Sequence, residues 1–443
     1  MASSLTYVQL LRANQSFRRL WLGQVVSELG NWFYFIAALG LVRVVSKNAA
    51  GPTTIILLSR LLPFTLFAPL AGAVVDRWSR RSIMIATDIA RVFVALLMLF
   101  VRDANDLWLA YLSTALLSVF GVFFEAAKNA AVPNITGDRD LLAGNALMFS
   151  SRFLLMSFGA ALGGWTASHF GYRAAFVVNS ASFLISAASV WLISDEETRA
   201  VPVTESSGKI SKRRFDYWSD IREGWSYILR TPPVALILGV NILWATGGGA
   251  TNLISDRLGG IVFVGQHGLS GDSAVATLYF ASGMGLFIGM MIVRRVGTYL
   301  ELHGGLVRFI GVTLVLQGIM SALIGVMPTI VLASLLMFVS RIILGVEFAV
   351  QETLLMRLVP DNLRGRISTT DRATELLIWS FSTAIAGWSL RAITPRTLTV
   401  ISGLLSATGG VAWLLTFALK RVQLPPRLHE RSRQVVSSSA SSG

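Results

Sequence analysis

Gln24, Glu28 and Asn31 stand four and three positions apart inside WLGQVVSELGNWFYFIAALGLV, a run otherwise composed for hydrocarbon. That spacing puts an amide, a carboxylate and a second amide on one face of a helix. Glu28 has no basic residue within a helical turn. A charge at the centre of a membrane helix costs about 2.5–3.5 kcal/mol, so it is kept where it has a partner or a task. Two roles fit Glu28. It is a fixed counter-ion for an arginine on another helix, Arg152 foremost, or a protonatable group that releases its proton when water or a cationic substrate arrives.

Other polar residues share such surroundings. Asp88 and Arg91 are three apart and read as a pair on one helix face, as do Glu125 and Lys128 near the interface. Arg152 and Arg341 have no acid on their own helices, so each requires one from elsewhere. At 1.5 Å per residue, Glu28 and Arg91 lie roughly 12 Å deep and Arg152 roughly 16 Å deep. Asn241 is followed by Gly247, Gly248 and Gly249, where a helix is expected to unwind or pack loosely. Tyr34, Trp244 and Trp379 offer aromatic faces to a ligand or to packing.

Several chemistries are excluded. With no cysteine there is no thiolate, disulfide or zinc–cysteine site, and the four histidines have no helix-spaced partners, so no metal is expected. HExxH, GxSxG and a phosphate-binding GxxxxGK[ST] loop are all missing, which argues against an enzyme, a bound cofactor and direct use of ATP. The chain is 53% hydrophobic and 14% charged, with a mean hydropathy of +0.63. That is the composition of an integral membrane protein. Its net charge of +14 would suggest nucleic acid in a soluble protein.

The elements that position these residues are membrane helices. Twelve segments are long and apolar enough to span. Six lie near 20–42, 53–75, 83–101, 106–127, 141–165 and 173–194; six more lie near 234–255, 273–294, 305–327, 329–351, 372–392 and 397–420. With the N-terminus inside, most of the 38 lysines and arginines fall on the N-terminal side. The positive-inside rule then places both termini in the cytoplasm and removes the need for a nucleic-acid partner. The N-terminus lacks the pattern of a cleaved signal peptide.

The expected all-α organisation is a six-helix bundle over 1–194, a cytoplasmic linker over 195–233, a second bundle over 234–420 and a disordered tail over 421–443. Within the linker, Phe215, Trp218, Ile221, Trp225 and Ile228 recur at steps of three and four, which predicts an amphipathic helix on the membrane surface. The halves echo one another. EAAKNAAVP and ETLLMRLVP end spans four and ten, while GYRAAFVV and TPRTLTVI lead spans six and twelve. Two related bundles around a midplane site suit alternating access.

Between spans two and three lies GAVVDRWSRRS. It resembles the signature Gly-x-x-x-Asp-Arg-x-Gly-Arg-Arg of the major facilitator superfamily, matching at Gly72, Asp76, Arg77, Arg80 and Arg81, with Ser79 in place of the second glycine. The resemblance implies a cytoplasmic latch, its acid near the start of span eleven. Gly72 would admit a close neighbouring helix, and the arginines would engage carboxylates or lipid phosphates. In the second half, GMMIVRRVGTY has Val293 where the acid would be. VPDNLRGRIS and SELGNWFYFIAALGLV resemble bacterial siderophore and macrolide exporters. On span five, Gly159, Gly163 and Gly164 match an antiporter motif whose proline is Ala160 here.

The resemblance implies a twelve-helix monomer in the bacterial inner membrane that exports small amphipathic molecules, drug- or siderophore-like, in exchange for protons. The same fold also suits a lysophospholipid transporter, a reading that the basic, aromatic surface helix fits.

Overall fold

A computed structural model describes residues 6–199, 217–303, 305–360 and 363–422. The polar part of the expected linker (200–216) and the tail from 423 onward lie outside the described residues. The described chain is helical, and its contacts divide it into two compact units.

The first unit comprises Met1–Tyr217 and Gly259–Phe280. A short α1 (Tyr7–Ala13) opens on a capping box at Thr6. It is followed by α2 (Gln15–Val45), α3 (Ala50–Val75), α4 (Arg80–Phe100), α5 (Ala104–Gly137), α6 (Arg139–Phe170) and α7 (Tyr172–Trp191). Two starts have a clear side-chain cap. Asn14 accepts from the Phe17 amide at 2.8 Å to begin α2, and Ser79 accepts from the Ser82 amide at 3.3 Å to begin α4. Span four was expected to end near residue 127, but α5 continues through Pro133. It stops at Gly137, whose φ of 69° is left-handed.

Close helix approach in this unit is made by small residues. A Cβ on Gly30 of α2 would lie 2.8 Å from Ser182 Cβ of α7, and one on Gly159 of α6 would lie 2.7 Å from Trp32 Cβ of α2. Gly163 sits 3.0 Å by the same measure from Phe33 Cα. Gly159 and Gly163 of the expected antiporter motif therefore pack α6 onto α2, while Gly164 faces Ala276 and Asp272. Gly72 is different: a Cβ there would meet nothing within 4 Å, so this signature glycine admits no neighbour among the described residues. Arg43 at the end of α2 pairs with Asp272, which also accepts from the Tyr172 hydroxyl at 2.8 Å.

The second unit comprises Trp218–Leu258 and Ala281–Gly443. Its helices are α8 (Tyr217–Arg230), α9 (Pro232–Val262), α10 (Gly271–Leu300), α11 (Leu306–Ile324), α12 (Ile330–Leu358), α13 (Arg364–Ser389) and α14 (Pro395–Ala418). The end of α9 and the start of α10 fall in the first unit. The core joins Val234 and Leu238 of α9, Ile310 and Leu314 of α11, Leu354 of α12 and Trp413 of α14. A Cβ on Gly289 of α10 would lie 2.6 Å from the Ile342 carbonyl of α12.

Three expected features take a definite form here. Eleven of the described helices are long and apolar enough to cross a membrane. The twelfth, α13, has 26 residues and is roughly 39 Å long, but it opens with Arg364, Arg366, Asp371, Arg372 and Glu375, so only its second half is apolar. Second, α8 forms, and the described end of its apolar stripe packs on protein. Ile228 is 1% exposed, Trp225 packs on the core of this unit, and Glu223 pairs with Arg366 of α13.

Third, the glycine run interrupts α9 at Gly249–Ala250, and neighbouring hydroxyls bond the backbone there. Ser382 donates to the Thr246 carbonyl at 2.7 Å, Ser402 to that of Gly247 at 2.7 Å and Thr383 to that of Gly249 at 3.0 Å. A break within a membrane helix persists where its polar groups are bonded in this way.

Candidate functional site

A polar cavity opens within the first unit among α2, α3, α4, α5 and α6. It holds about 930 Å³ of empty space, part of it open to solvent. Gln24, Glu28 and Asn31 all line it, as their helical spacing requires, and Asn31 Nδ2 donates to Glu28 Oε2 at 3.4 Å. A smaller recess also carries Gln24, Glu28, Glu125 and Arg152 and extends to Lys128 and Ser151.

Three arginines act on Glu28. Arg152 faces the cavity from α6 and interacts electrostatically with both Glu28 and Glu125. Arg91 of α4 is held by Asp88, which is fully buried, and its guanidinium lies 4.6 Å from the Phe124 ring and 4.5 Å from Phe183. The third, Arg60 of α3, lies 4.0 Å from the Phe35 ring and 5.5 Å from Trp32, and it interacts electrostatically with Glu28 and Arg152. Arg60 is a cavity residue to which the sequence alone assigns no role. The signal was present in Ile56, Arg60 and Phe64, which at steps of four share the cavity face of α3.

Glu125 accepts from Lys128 Nζ at 2.6 Å, and Lys128 also reaches Gln24 at 3.3 Å. The Tyr34 hydroxyl is 3.0 Å from both Ser113 and Thr114 at the cavity wall. No ion-pair partner stands within 4.0 Å of Glu28, Arg60 or Arg152 among the described residues, so the arginine expected to lock Glu28 acts on it from beyond contact distance.

The other candidates lie apart from this cavity. Asn241 and Arg341 belong to the second unit. Asn241 donates to Asp371 at 3.3 Å, and Arg341 donates to Thr251 at 3.5 Å. On α12, Glu347 is 3% exposed and its Oε1 has no hydrogen-bond partner. Trp244 and Trp379 pack on one another, their centroids 6.0 Å apart, with Trp244 bonded to Gln317.

In the signature loop, Asp76 and Arg77 are exposed, and Asp76 caps the end of α3. The other arginines engage carbonyls rather than carboxylates. Arg80 donates to Ala130 at 2.8 Å and Thr198 at 3.1 Å, and Arg81 to Trp191 at 2.6 Å. Carbonyls at helix C-termini favour such cations. Ser79 both caps α4 and donates to Asp195. That hydroxyl, together with Arg199, holds the Asp195 carboxyl below the usual carboxylate range.

Residues 20–370 match the family model of the Major Facilitator Superfamily. The chain belongs to the Major Facilitator Superfamily. It is a multi-pass membrane protein of a family of transporters, not enzymes. It is 26% identical over 186 residues to the MFS-type transporter YfiS of Bacillus subtilis (strain 168), covering 42% of this chain and 43% of the relative. It is also 26% identical over 277 residues to the putative bacilysin exporter BacE of the same organism, covering 62% of this chain and 65% of the relative. The chain thus spans less than two thirds of the length of either relative.

Among solved structures, a bacterial homologue of the human lysosomal transporter Spinster, inward-facing and unoccupied, aligns with a TM-score of 0.67 at 14% identity. The alignment covers 93% of this chain and 98% of that one. At that identity the likeness shows the superfamily fold.

Proposed function

We propose that this chain exports small amphipathic molecules, drug- or siderophore-like, across the bacterial inner membrane by alternating access, and that Glu28 exchanges each for a proton. In this reading the chain works as a monomer with both termini in the cytoplasm and the loop Gly72–Arg81 latches the cytoplasmic side. The observation that carries it is the placing of Glu28. The carboxylate faces an open polar cavity, three arginines act on it, and none is within contact distance. A carboxylate so placed is free to take a proton or a cationic group in turn. The relative named an exporter supports the outward direction. In the helix that suited lysophospholipid transport, Trp225 and Ile228 pack on protein, so these two residues lend that reading no support.

The test uses everted membrane vesicles energised to an acid interior and a pH-sensitive dye. Siderophores, macrolides, cationic dyes and lysolipids are added to wild type and to Glu28→Gln. At least one compound is expected to dissipate the gradient in wild type and not in the variant. Equal transport by both would make Glu28 a structural counter-ion.

A further inference from the structure

Five ionisable side chains line the cavity: Glu28, Arg60, Arg91, Glu125 and Arg152. Two are balanced from behind the wall, Arg91 by Asp88 and Glu125 by Lys128. The remaining titratable neighbours are phenols. Tyr34 is engaged by Ser113 and Thr114, and Tyr279 interacts with Arg60. Glu28 is left facing two arginines. Arg60 and Arg152 repel one another across the cavity; Glu125 also acts on Arg152 but is itself paired with Lys128, so Glu28 is the carboxylate left to both. Arg60 is stacked on Phe35 and Trp32, which stabilises the cation without supplying negative charge. The cavity therefore lacks an anion.

A simple anion would not suit the exchange proposed for Glu28. Negative charge beside Glu28 favours its protonated form, so anion and proton would enter together. A simple cation has the opposite defect: it competes with the proton, as exchange requires, but meets two arginines. A molecule carrying both charges leaves the net charge unchanged but gives the two arginines a carboxylate and Glu28 an ammonium, so each group meets the opposite sign.

We infer that the substrate is amphoteric, with a carboxylate received by Arg60 and Arg152, an amine received by Glu28, and an apolar body lying against Phe35, Phe64 and Phe124. This rests on the proton-exchange reading of Glu28. As the ammonium arrives, the carboxyl proton of Glu28 leaves to water, and the ammonium takes its place. Arginine forks suit carboxylates because two parallel N–H groups meet two oxygens.

Three fluorescent probes with the same body separate the possibilities. Nε-dansyl-lysine carries amine and carboxylate, dansylcadaverine the amine alone, and N-dansyl-6-aminohexanoic acid the carboxylate alone. Binding is titrated to the full chain in nanodiscs. Dansyl-lysine is expected to bind about tenfold more tightly than either of the others, as befits one added charge-assisted contact. Arg152→Gln and Arg60→Gln should each reduce its advantage over dansylcadaverine, and Arg152→Lys should retain most of it. Glu28→Gln should erase its advantage over the aminohexanoate.

If either single-charge probe binds as tightly as dansyl-lysine to wild type, or none of the three binds, the inference is overturned. The same follows if the variants leave the ranking unchanged. Adding the probes to the energised vesicles separates this inference from the reading beneath it. Dansyl-lysine that binds selectively but leaves the gradient intact would support the substrate class and remove proton exchange. Dansylcadaverine that alone binds and dissipates the gradient would keep the exporter and reject the amphoteric substrate.

Discussion

Asp88 is 0% exposed and Arg91 5%, and rings enclose the guanidinium on both sides. Removing one member of such a pair strands the other charge away from water, which costs about 3–5 kcal/mol. Asp88→Asn should therefore lower the thermal unfolding temperature in detergent well below wild type, and adding Arg91→Met should recover most of the loss. An unchanged temperature in the single variant would show that the pair contributes nothing to stability. This pair was legible because i,i+3 partners sit side by side in the sequence, and so was the stripe through Glu28. Arg60 escaped because its partners are rings on another helix, and a cation over an aromatic face leaves no mark in linear spacing.

At the scale of the helices, glycine carries different weight at different places. Gly72 lies inside α3 with open space around it. Gly72→Ala should leave stability unchanged or raise it by about 0.5–1 kcal/mol, since alanine loses less backbone freedom in a helix. Gly289→Ala should do the reverse, because its Cβ meets the Ile342 carbonyl of α12 at 2.6 Å and backbone cannot turn aside. Overpacking of that kind costs about 1–3 kcal/mol. Unfolding of the two variants side by side checks both signs, and a destabilised Gly72→Ala would show that α3 has a neighbour there after all.

The sequence predicted a close approach at Gly72 from a motif, whereas approach depends on which helices meet. It also predicted that α8 exists, from steps of three and four, but not what covers its stripe. A lipid surface and a protein core call for the same apolar residues.

For the whole molecule, two sets of membrane helices were legible because apolar length and turn residues are local properties. Gly171 ends α6 before α7, and Thr394 caps α14, so the two matching stretches lead the last membrane helix of each set. The cavity was less legible, since five helices must meet before its lining exists. The side of the membrane on which each end lies is open to direct measurement. The chain has no cysteine, so single substitutions can be labelled without background. Trp78→Cys, at a position 71% exposed after α3, and Leu229→Cys, 73% exposed on α8, should react with an impermeant maleimide in everted vesicles and not in intact cells. Asn105→Cys, at the start of α5, should show the opposite pattern. Reversal would place both termini outside.

The three arginines that act on Glu28, Arg60, Arg91 and Arg152, are all carried by the first unit. Their mutual distances therefore stay fixed when that unit moves as one body. What movement can alter is the medium between them. The attraction of opposite charges a few ångströms apart rises about fourfold as the effective dielectric falls from that of bulk water to that near a protein surface. Wetting and drying the cavity would thus change how strongly the arginines hold the Glu28 carboxylate without displacing a single side chain. Hydration, rather than rearrangement, then becomes the variable that sets their attraction.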